Sequence, residues 1–215
     1  MMTKKLLLIG GGGHCKSVLD SLLAGNGFSE IGIIDLPENV GQEIFGSFVI
    51  GDDDDLQELF ASGYKNAFVT VGSVGDPSIR IGLFRVLEAI GFQIPNIIDP
   101  SAVVSRHVVM DKGIFVGKNA VVNAGSTIGR GAIINTRSVV EHDCVVGAFV
   151  HLAPGSILGG NVRVGENTHV GMGSIVKQQI TIGSNAIIGM GSVVLDNIVE
   201  NTVSYGNPCK VVRER

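Results

Sequence analysis

From Ile98 onward an aliphatic or methionine side chain recurs at every sixth position without a break: Val104, Met110, Val116, Val122, Ile128, Ile134, Val140, Val146, Leu152, Leu158, Val164, Val170, Val176, Ile182, Ile188 and Val194. Two places before it most repeats carry a small residue, such as Ala120, Ser126, Ala132, Ser138, Cys144, Ser156, Ser174, Ala186 or Ser192, and glycine often follows it, as at Gly117, Gly129, Gly147 and Gly165. Neither the 3.6-residue period of an amphipathic helix nor the two-residue period of a plain strand produces this. A period of six predicts a parallel β-helix of triangular section. Each hexad forms one flat side with its aliphatic and small residues turned inward, and a turn rich in Gly and Asn makes the corner. Three hexads close one coil, so residues eighteen apart stack ~5 Å from one another along the axis and pair as parallel strands. The seventeen hexads from Ile98 to Val194 give between five and six coils. Coils of this kind are typically left-handed, against the usual right-handed crossover.

Ahead of residue 96 the pattern changes, and the chain divides into residues 1–95 and 96–215. Leu6–Ile9 reads as a buried parallel strand, Gly10–His14 as a tight loop and Lys16–Ala24 as a helix, followed by a strand at Ile31–Ile34 that ends on Asp35. Further along come a helix over Asp54–Ser62, a strand over Phe68–Gly72 and a helix over Pro77–Ile90 with Ile79, Leu83, Val86, Leu87 and Ile90 on its apolar side. These elements predict a Rossmann-like α/β domain of half size. A glycine-rich turn opening a helix lets backbone amides approach a phosphate, with the helix dipole adding attraction. Gly11 and Gly13 meet the first part of G-x-G-x-x-G, but Lys16 stands where the third glycine belongs, which argues against a nicotinamide dinucleotide. Asp35 is placed to accept hydrogen bonds from a nucleotide base or ribose. The plain alternatives are a loop that only turns tightly, a surface His14 and a capping role for Asp35. The run Asp52–Asp55 reads as a solvated helix cap and not as a metal site.

Composition narrows the partners. Charged residues make up 17 % of the 215 and the net charge is −4 with no basic cluster, so nucleic acid and anionic membrane are not expected as partners. No cleavable apolar leader and no apolar run long enough for a bilayer stands out, which points to the cytoplasm. Cys15, Cys144 and Cys209 are odd in number and lie in unrelated elements, as reduced thiols do, and no metal-ligand spacing is present.

One hexad departs from the small-residue corners: Val140-Glu141-His142-Asp143-Cys144. Imidazole titrates near neutrality, and an adjacent carboxylate orients it and supports its protonated form, as a general base requires. Asp143 is the first choice of partner, with Glu141 beside it. Eighteen residues on lies Gly160, which puts a side-chain-free amide over the histidine's corner, suited to an oxyanion. His151 and His169 are also eighteen apart, each just before an inward aliphatic, so both point outward and stack; His107 has no acidic partner and reads as structural. Cys144 falls in the inward small position and is expected to be buried.

The set Gly10-Gly11-Gly12-Gly13-His14-Cys15-Lys16, Glu141-His142-Asp143-Cys144, His151-Leu152-Ala153-Pro154-Gly155 and Gly206-Asn207-Pro208-Cys209-Lys210 resembles the bacterial hexapeptide-repeat sugar O/N-acetyltransferases over nearly the whole chain. It is most similar to those that acetylate the 4-amino group of a UDP-linked amino-dideoxy sugar, and to their sialic-acid O-acetyltransferase relatives. The resemblance implies a homotrimer that uses acetyl-CoA without a metal. It implies His142 as the base with Asp143 and Glu141 beside it, and a nucleotide-sugar site at Gly12, Gly13, His14, Asp35 and Gly72. Acetyl-CoA would be held by His151, Gly160, Gly171, Gly189, Gly206, Pro208 and Lys210 in a groove between adjacent β-helices. Departures are Leu36 where a second acid often stands, Cys15 for a small residue and Cys209 for alanine, and these bear on the acceptor. The competing expectations are O-acetylation of a free or CMP-linked sugar such as sialic acid, and a non-catalytic trimer that binds a nucleotide sugar. A nucleotidyltransferase needs a larger catalytic domain than about ninety-five residues provide.

Overall fold

The computed structural model describes residues 4–25 and 27–215 and divides into two compact units, one running to Ser73 and resuming over Ser78–Ile97, the other comprising Val74–Pro77 and Ile98–Arg215. The short segment 74–77 thus groups with the second unit, a detail that a single cut at residue 95 does not contain. No helix among the described residues is long and apolar enough to cross a membrane.

The first unit is a five-stranded sheet with flanking helices. Strands β1 (Lys5–Ile9), β2 (Glu30–Ile34), β3 (Glu43–Ile44), β4 (Ser47–Gly51) and β5 (Asn66–Val69) are ordered β3-β4-β2-β1-β5. All pair in parallel except β3 with β4. Leu6, Leu7 and Leu8 are fully buried, as a central strand covered on both faces demands. The chain leaves β1 toward β2 and β4 and returns to the other flank of β1 as β5, which makes a topological switch point at the carboxyl end of β1. Helix α1 (Gly13–Ala24) begins three residues earlier than expected because Gly12 and Gly13 accept helical entry, so Gly13 and His14 belong to its first turn and not to a loop. Helices α2 (Leu56–Ala61) and α3 (Ser78–Ile90) follow. In α3 the expected apolar side holds in part: Leu87 is buried and Leu83 and Ile90 are half-buried, whereas Ile79 and Val86 are exposed and Arg80 and Phe84 are buried instead. Strand β5 also stops at Val69, short of the expected Gly72.

The second unit is the expected left-handed parallel β-helix. Its three faces are sheets of six, five and eight strands in which partners lie eighteen residues apart, as in Val121 with Val139 and Val139 with Ile157. Val122, Val140, Leu158 and Val176 form one inward column, and Ser126, Ser138, Cys144, Ser156, Ser174 and Ser192 are buried beside such columns. The first coil has no coil beneath it, so Val104 and Met110 are only partly buried and Ile98 is 42 % exposed. At the far end Thr202–Gly206 adds in parallel to Ile187–Ile188 and turns back as the antiparallel strand Cys209–Glu214, closing the stack.

The corners lie three residues beyond each inward aliphatic, where Asn119, Arg137, Asp143, Phe149, Asn161, Asn167, Gln179 and Asn185 all have positive φ. The glycines that directly follow the aliphatics answer a different need. A Cβ on Gly147 would lie 2.7 Å from the amide nitrogen of Glu166 and 2.9 Å from the carbonyl carbon of Gly165, so the missing side chain is what lets one coil reach the next. Gly147→Ala is therefore expected to cost ~1–3 kcal/mol or more by overpacking one backbone on another. Gly173→Ala, with open space but φ +67°, is expected to cost roughly 1–2 kcal/mol. Calorimetric melting of the two variants checks the order, and an equal or smaller loss for Gly147→Ala would refute the close-approach account.

Candidate active site

His142 sits at the corner that follows the strand Val139–Val140, on the edge of the six-stranded face. Its Nδ1 lies 2.9 Å from Asp143 Oδ2, and its backbone N–H donates to Glu141 Oε2 at 3.3 Å. Asp143 can turn back on its neighbour because it occupies the left-handed corner (φ 59°), and its Oδ1 rests over Gly125, the equivalent corner one coil before. Only a residue without Cβ leaves that space. The Asp143 hydrogen bond, then the charges of Asp143 and Glu141, hold the His142 imidazole above its ordinary pKa although the group stands in solvent. With Nδ1 committed to the carboxylate, Nε2 is the nitrogen left for chemistry.

That nitrogen faces Gly160, as the eighteen-residue stacking requires. A Cβ on Gly160 would lie 2.6 Å from His142 Nε2, so the glycine makes room for the ring itself. The carbonyl of Gly160 accepts from Gln179 N, and its amide makes no hydrogen bond within the described residues. Glu141, His142, Gly160, Asn161, Gln178 and Gln179 line a concavity of about 330 Å³. Cys144 is buried as expected, with Sγ 3.2 Å from the Gly159 carbonyl and its thiol pushed up by burial, which removes it as a nucleophile.

The remaining candidates of this unit fall elsewhere. Gly171 and Gly189 stack at the corner that precedes the strands of the six-stranded face, and Tyr205 Cβ comes within 2.7 Å of where a Gly189 Cβ would stand. Gly206 N donates to Ser192 Oγ at 3.2 Å, Pro208 follows a cis peptide bond, and Lys210 Nζ is 3.6 Å from Asp196 Oδ2. One chain therefore carries the His142 and Gly160 corner on one edge of this face and the Gly171 and Gly189 corner on the other. His151 belongs to the eight-stranded face, where it pairs in register with His169. The two rings do stack outward from the coil, but both are buried and not exposed.

In the first unit the carboxyl ends of β1, β2 and β4 open onto a cavity of about 320 Å³. Asp35 and Asp52–Asp54 supply its polar part; Ile34, Leu36, Pro37, Val71, Ile79 and Leu83 supply apolar walls. Asp35 Oδ2 accepts from Asn39 Nδ2 at 3.0 Å and lies against Gly11. Asp52 and Asp55 are occupied in a capping box, as expected of the acidic run, whereas Asp53 is held above the usual carboxylate range by desolvation and by Asp52, Asp54 and Asp35. Among the described residues nothing beyond the chain neighbours and the helix's own backbone comes within 4 Å of a Cβ built on Gly12 or Gly13, so the amides at the start of α1 are approachable. His14 differs from expectation. Its Nε2 is out of solvent, and burial followed by the charge of Arg80 lowers its pKa to about 4, so it is neutral and brings no cation to a phosphate. Gly72 lies beside His14, 3.5 Å from the histidine Cβ if given a side chain.

Several residues of these sites were not visible in the sequence. Ile79 and Leu83 looked like core, and Asp53 like one cap residue among four. Arg80, buried and bonded to Ser73 Oγ at 2.9 Å, interrupts an apolar pattern and gives no sign of its place beside His14. Asn135, which touches His151, had one available signal: it stands where the hexads often have glycine.

Known proteins share this architecture along its whole length. Residues 5–87 match the model of the PglD N-terminal domain, residues 105–134 the hexapeptide repeat of succinyl-transferase, and residues 161–196 the bacterial transferase hexapeptide. A mutant of perosamine N-acetyltransferase from Caulobacter crescentus, solved in complex with CoA and GDP-perosamine, is 38 % identical over 100 % of this chain and 99 % of its own, with a TM-score of 0.92. The acetyltransferase domain of PglB from Neisseria gonorrhoeae, solved in complex with acetyl coenzyme A, is 36 % identical over 98 % and 100 %, with a TM-score of 0.89. WeeI from Acinetobacter baumannii shares the fold at 23 % identity and a TM-score of 0.85. Repeat architecture, amino-terminal unit and full-length likeness agree, and the chain belongs to the hexapeptide-repeat sugar N-acetyltransferase family.

Proposed function

We propose that the protein transfers acetyl from acetyl-CoA to the 4-amino group of a nucleotide-linked amino-dideoxy sugar, with His142 as general base. The observation that carries this is the His142–Asp143 pair, whose Nε2 stands 2.6 Å from where a Gly160 side chain would begin. A thioester is already activated, so transfer needs proximity, a base and a donor for the oxyanion. The amine attacks the thioester carbonyl, Gly160 N–H stabilises the oxygen as charge develops, and His142 Nε2 takes the amine proton. Collapse expels CoA thiolate, to which the proton returns. Asp143 orients the ring and supports the imidazolium, and Glu141 adds negative charge to the same end.

The acceptor's phosphates fit the amides of Gly12 and Gly13, and its base fits the cavity at Asp35. UDP is the nucleotide the family resemblance suggested, and the Caulobacter relative was solved with a GDP-sugar. The lining of this cavity favours GDP: carboxylates only accept hydrogen bonds, guanine offers an N–H and an adjacent amino group, and uracil offers one N–H between two carbonyls.

The six-stranded face supports assembly as a homotrimer. Its outward column is Val103, Val121, Val139, Ile157, Ile175 and Val193, all aliphatic, and Val103, Ile157 and Ile175 are 62 %, 37 % and 48 % exposed. The corresponding column of the five-stranded face mixes Val109 and Val145 with Thr127, Arg163 and Thr181. A continuous apolar column open to water marks an interface, and cyclic packing of three copies through it sets the His142 edge of one copy against the Gly171 and Gly189 edge of the next. Acetyl-CoA in that groove would run from Gly206, Pro208 and Lys210 of one copy to Gly160 and His142 of its neighbour.

Three outcomes are expected. CoA release with product mass should show acetylation of a GDP-linked 4-amino sugar faster than its UDP counterpart, and His142→Ala should lose ~10²–10⁴-fold in kcat; turnover only with a free sialic acid would move the chemistry to oxygen. The base must be neutral and its pKa is raised, so kcat/KM falls as pH drops through a value above that of free histidine. Asp143→Asn should shift that acid limb to lower pH while reducing the plateau, and an unmoved limb would remove Asp143 as partner. Ile157→Asp with Ile175→Asp should convert a trimer, by light scattering, to monomer and abolish transfer; a trimer of unchanged mass would place the interface elsewhere.

A further inference from the structure

Stacking by eighteen gives the corner beside the catalytic histidine three successive members, His142, Gly160 and Gln178, each ~5 Å along the axis from the last. Asn161 N donates to the His142 carbonyl at 2.8 Å and Gln179 N to the Gly160 carbonyl at 2.9 Å, which ties the three coils together at this point. The imidazole stands upright on the first of them. Its Nδ1 is bound to Asp143 in its own coil, while Nε2 and Cε1 come within 2.6 and 2.7 Å of where a Gly160 side chain would begin, so the ring reaches the level of the second coil. Gly160 then lies between the ring and the third coil, and the side chain that follows in the same column is Gln178. Both His142 and Gln178 line the concavity of about 330 Å³. Asn161 and Gln179 line it too, but they stand in the neighbouring column with Asp143, at positive φ of 57° and 63°.

An amine that attacks a thioester presents one lone pair and two N–H groups. The lone pair forms the bond to the carbonyl carbon, and one N–H gives its proton to His142 Nε2, from which it passes to the departing thiolate as the C–S bond breaks. The second N–H stays on the nitrogen through the reaction and remains in the amide product, so it needs an acceptor throughout. Asp143 is committed to Nδ1, and Glu141 Oε2 takes the backbone N–H of His142. A carboxamide oxygen suits the remaining place, because it accepts a hydrogen bond but is too weak a base to compete with imidazole for the proton.

We propose that Gln178 binds the acceptor amine, its carboxamide oxygen taking the N–H that His142 does not and so aiming the nitrogen lone pair at the thioester. The proposal rests on the acetyl-transfer reading of this same site. It assigns the two walls of the glycine gap separate tasks: His142 moves a proton, and Gln178 holds one in place.

Two measurements on the full chain test it. The first is the titration of His142 by NMR without any ligand, in Gln178→Glu and Gln178→Lys. Asp143 and Glu141 in the histidine's own coil and Lys177 beside residue 178 stay in place, so only the charge across Gly160 changes. The glutamate should raise the His142 pKa, and the lysine lower it, by ~0.3–0.5 of a pH unit. The second is kcat/KM for acetyl transfer to a GDP-linked 4-amino-4,6-dideoxy sugar, read on the plateau above the acid limb. Gln178→Leu, similar in size and without an acceptor, should lose about three- to tenfold, Gln178→Lys, which only donates, at least as much, and Gln178→Glu, which keeps the acceptor, clearly less than either. A His142 titration that neither charge moves overturns the placement of Gln178 across from the ring. Equal rates for wild type and Gln178→Leu, or a lysine variant better than the glutamate, overturn its role as acceptor while leaving acetyl transfer standing. A wild type that acetylates no amino sugar defeats the acetyl-transfer reading itself, and the amine-binding role with it.

Discussion

Every coil of the second unit must bring its backbone within hydrogen-bonding reach of the next along all three faces, and this one requirement decides which side chains the rest of the molecule can carry. Where the backbone leaves an inward aliphatic it runs against the following coil, and the position becomes glycine, as at Gly147. Two residues after that glycine the chain must turn through positive φ, and the position becomes glycine, asparagine or a residue held there by its contacts. The ladder also makes height along the axis a function of residue number, so that chemistry arises where two unusual residues fall one coil apart. Gly125 beneath Asp143 and Gly160 above His142 are two such coincidences, and both are needed for one imidazole to stand upright with one nitrogen paired and one free.

The site drawn from these columns uses little of the molecule's stability. His142 and Asp143 are exposed, and their mutual hydrogen bond is worth more to the orientation of the ring than to the fold. The buried polar groups are of another kind. The His151 and His169 rings, Arg80 in the first unit and the serines of the coil interior each replace an apolar contact with a group that must find a partner, and most do so through backbone carbonyls or a single side chain.

Much of the architecture was legible because the six-residue period has one geometric solution, and the phase of each hexad states which side chains point inward. Cys144 in the small position, the His142 stacking on Gly160 and the His151 register with His169 all follow from counting. The rest was hidden for physical reasons. On helix α3 Ile79 and Val86 read as inward because a charged residue reads as solvent-facing, yet Arg80 is buried and those two are exposed, while Leu87 is buried as its spacing implied. The first turn of α1 was read as loop because glycine lowers helix propensity, although tertiary context overrides it here. The neutral state of His14 depends on burial that no local pattern reports, and the contact of Asn135 with His151 joins residues sixteen apart.

The ladder has a consequence for how such chains can change length. Because strands pair at a separation of eighteen residues, an insertion or deletion of a whole coil slides every later residue up or down the axis and leaves each on its own face. A change of six residues keeps the inward column intact, and so would fold, but carries everything after it round by a third of a turn. Placed between Gly160 and Gly171, it would move Gly171, Gly189 and the hairpin away from the apolar face while His142 stayed beside it. Evolution along this scaffold is therefore quantised twice, by six for the core and by eighteen for the active site, and only the coarser step is silent to both.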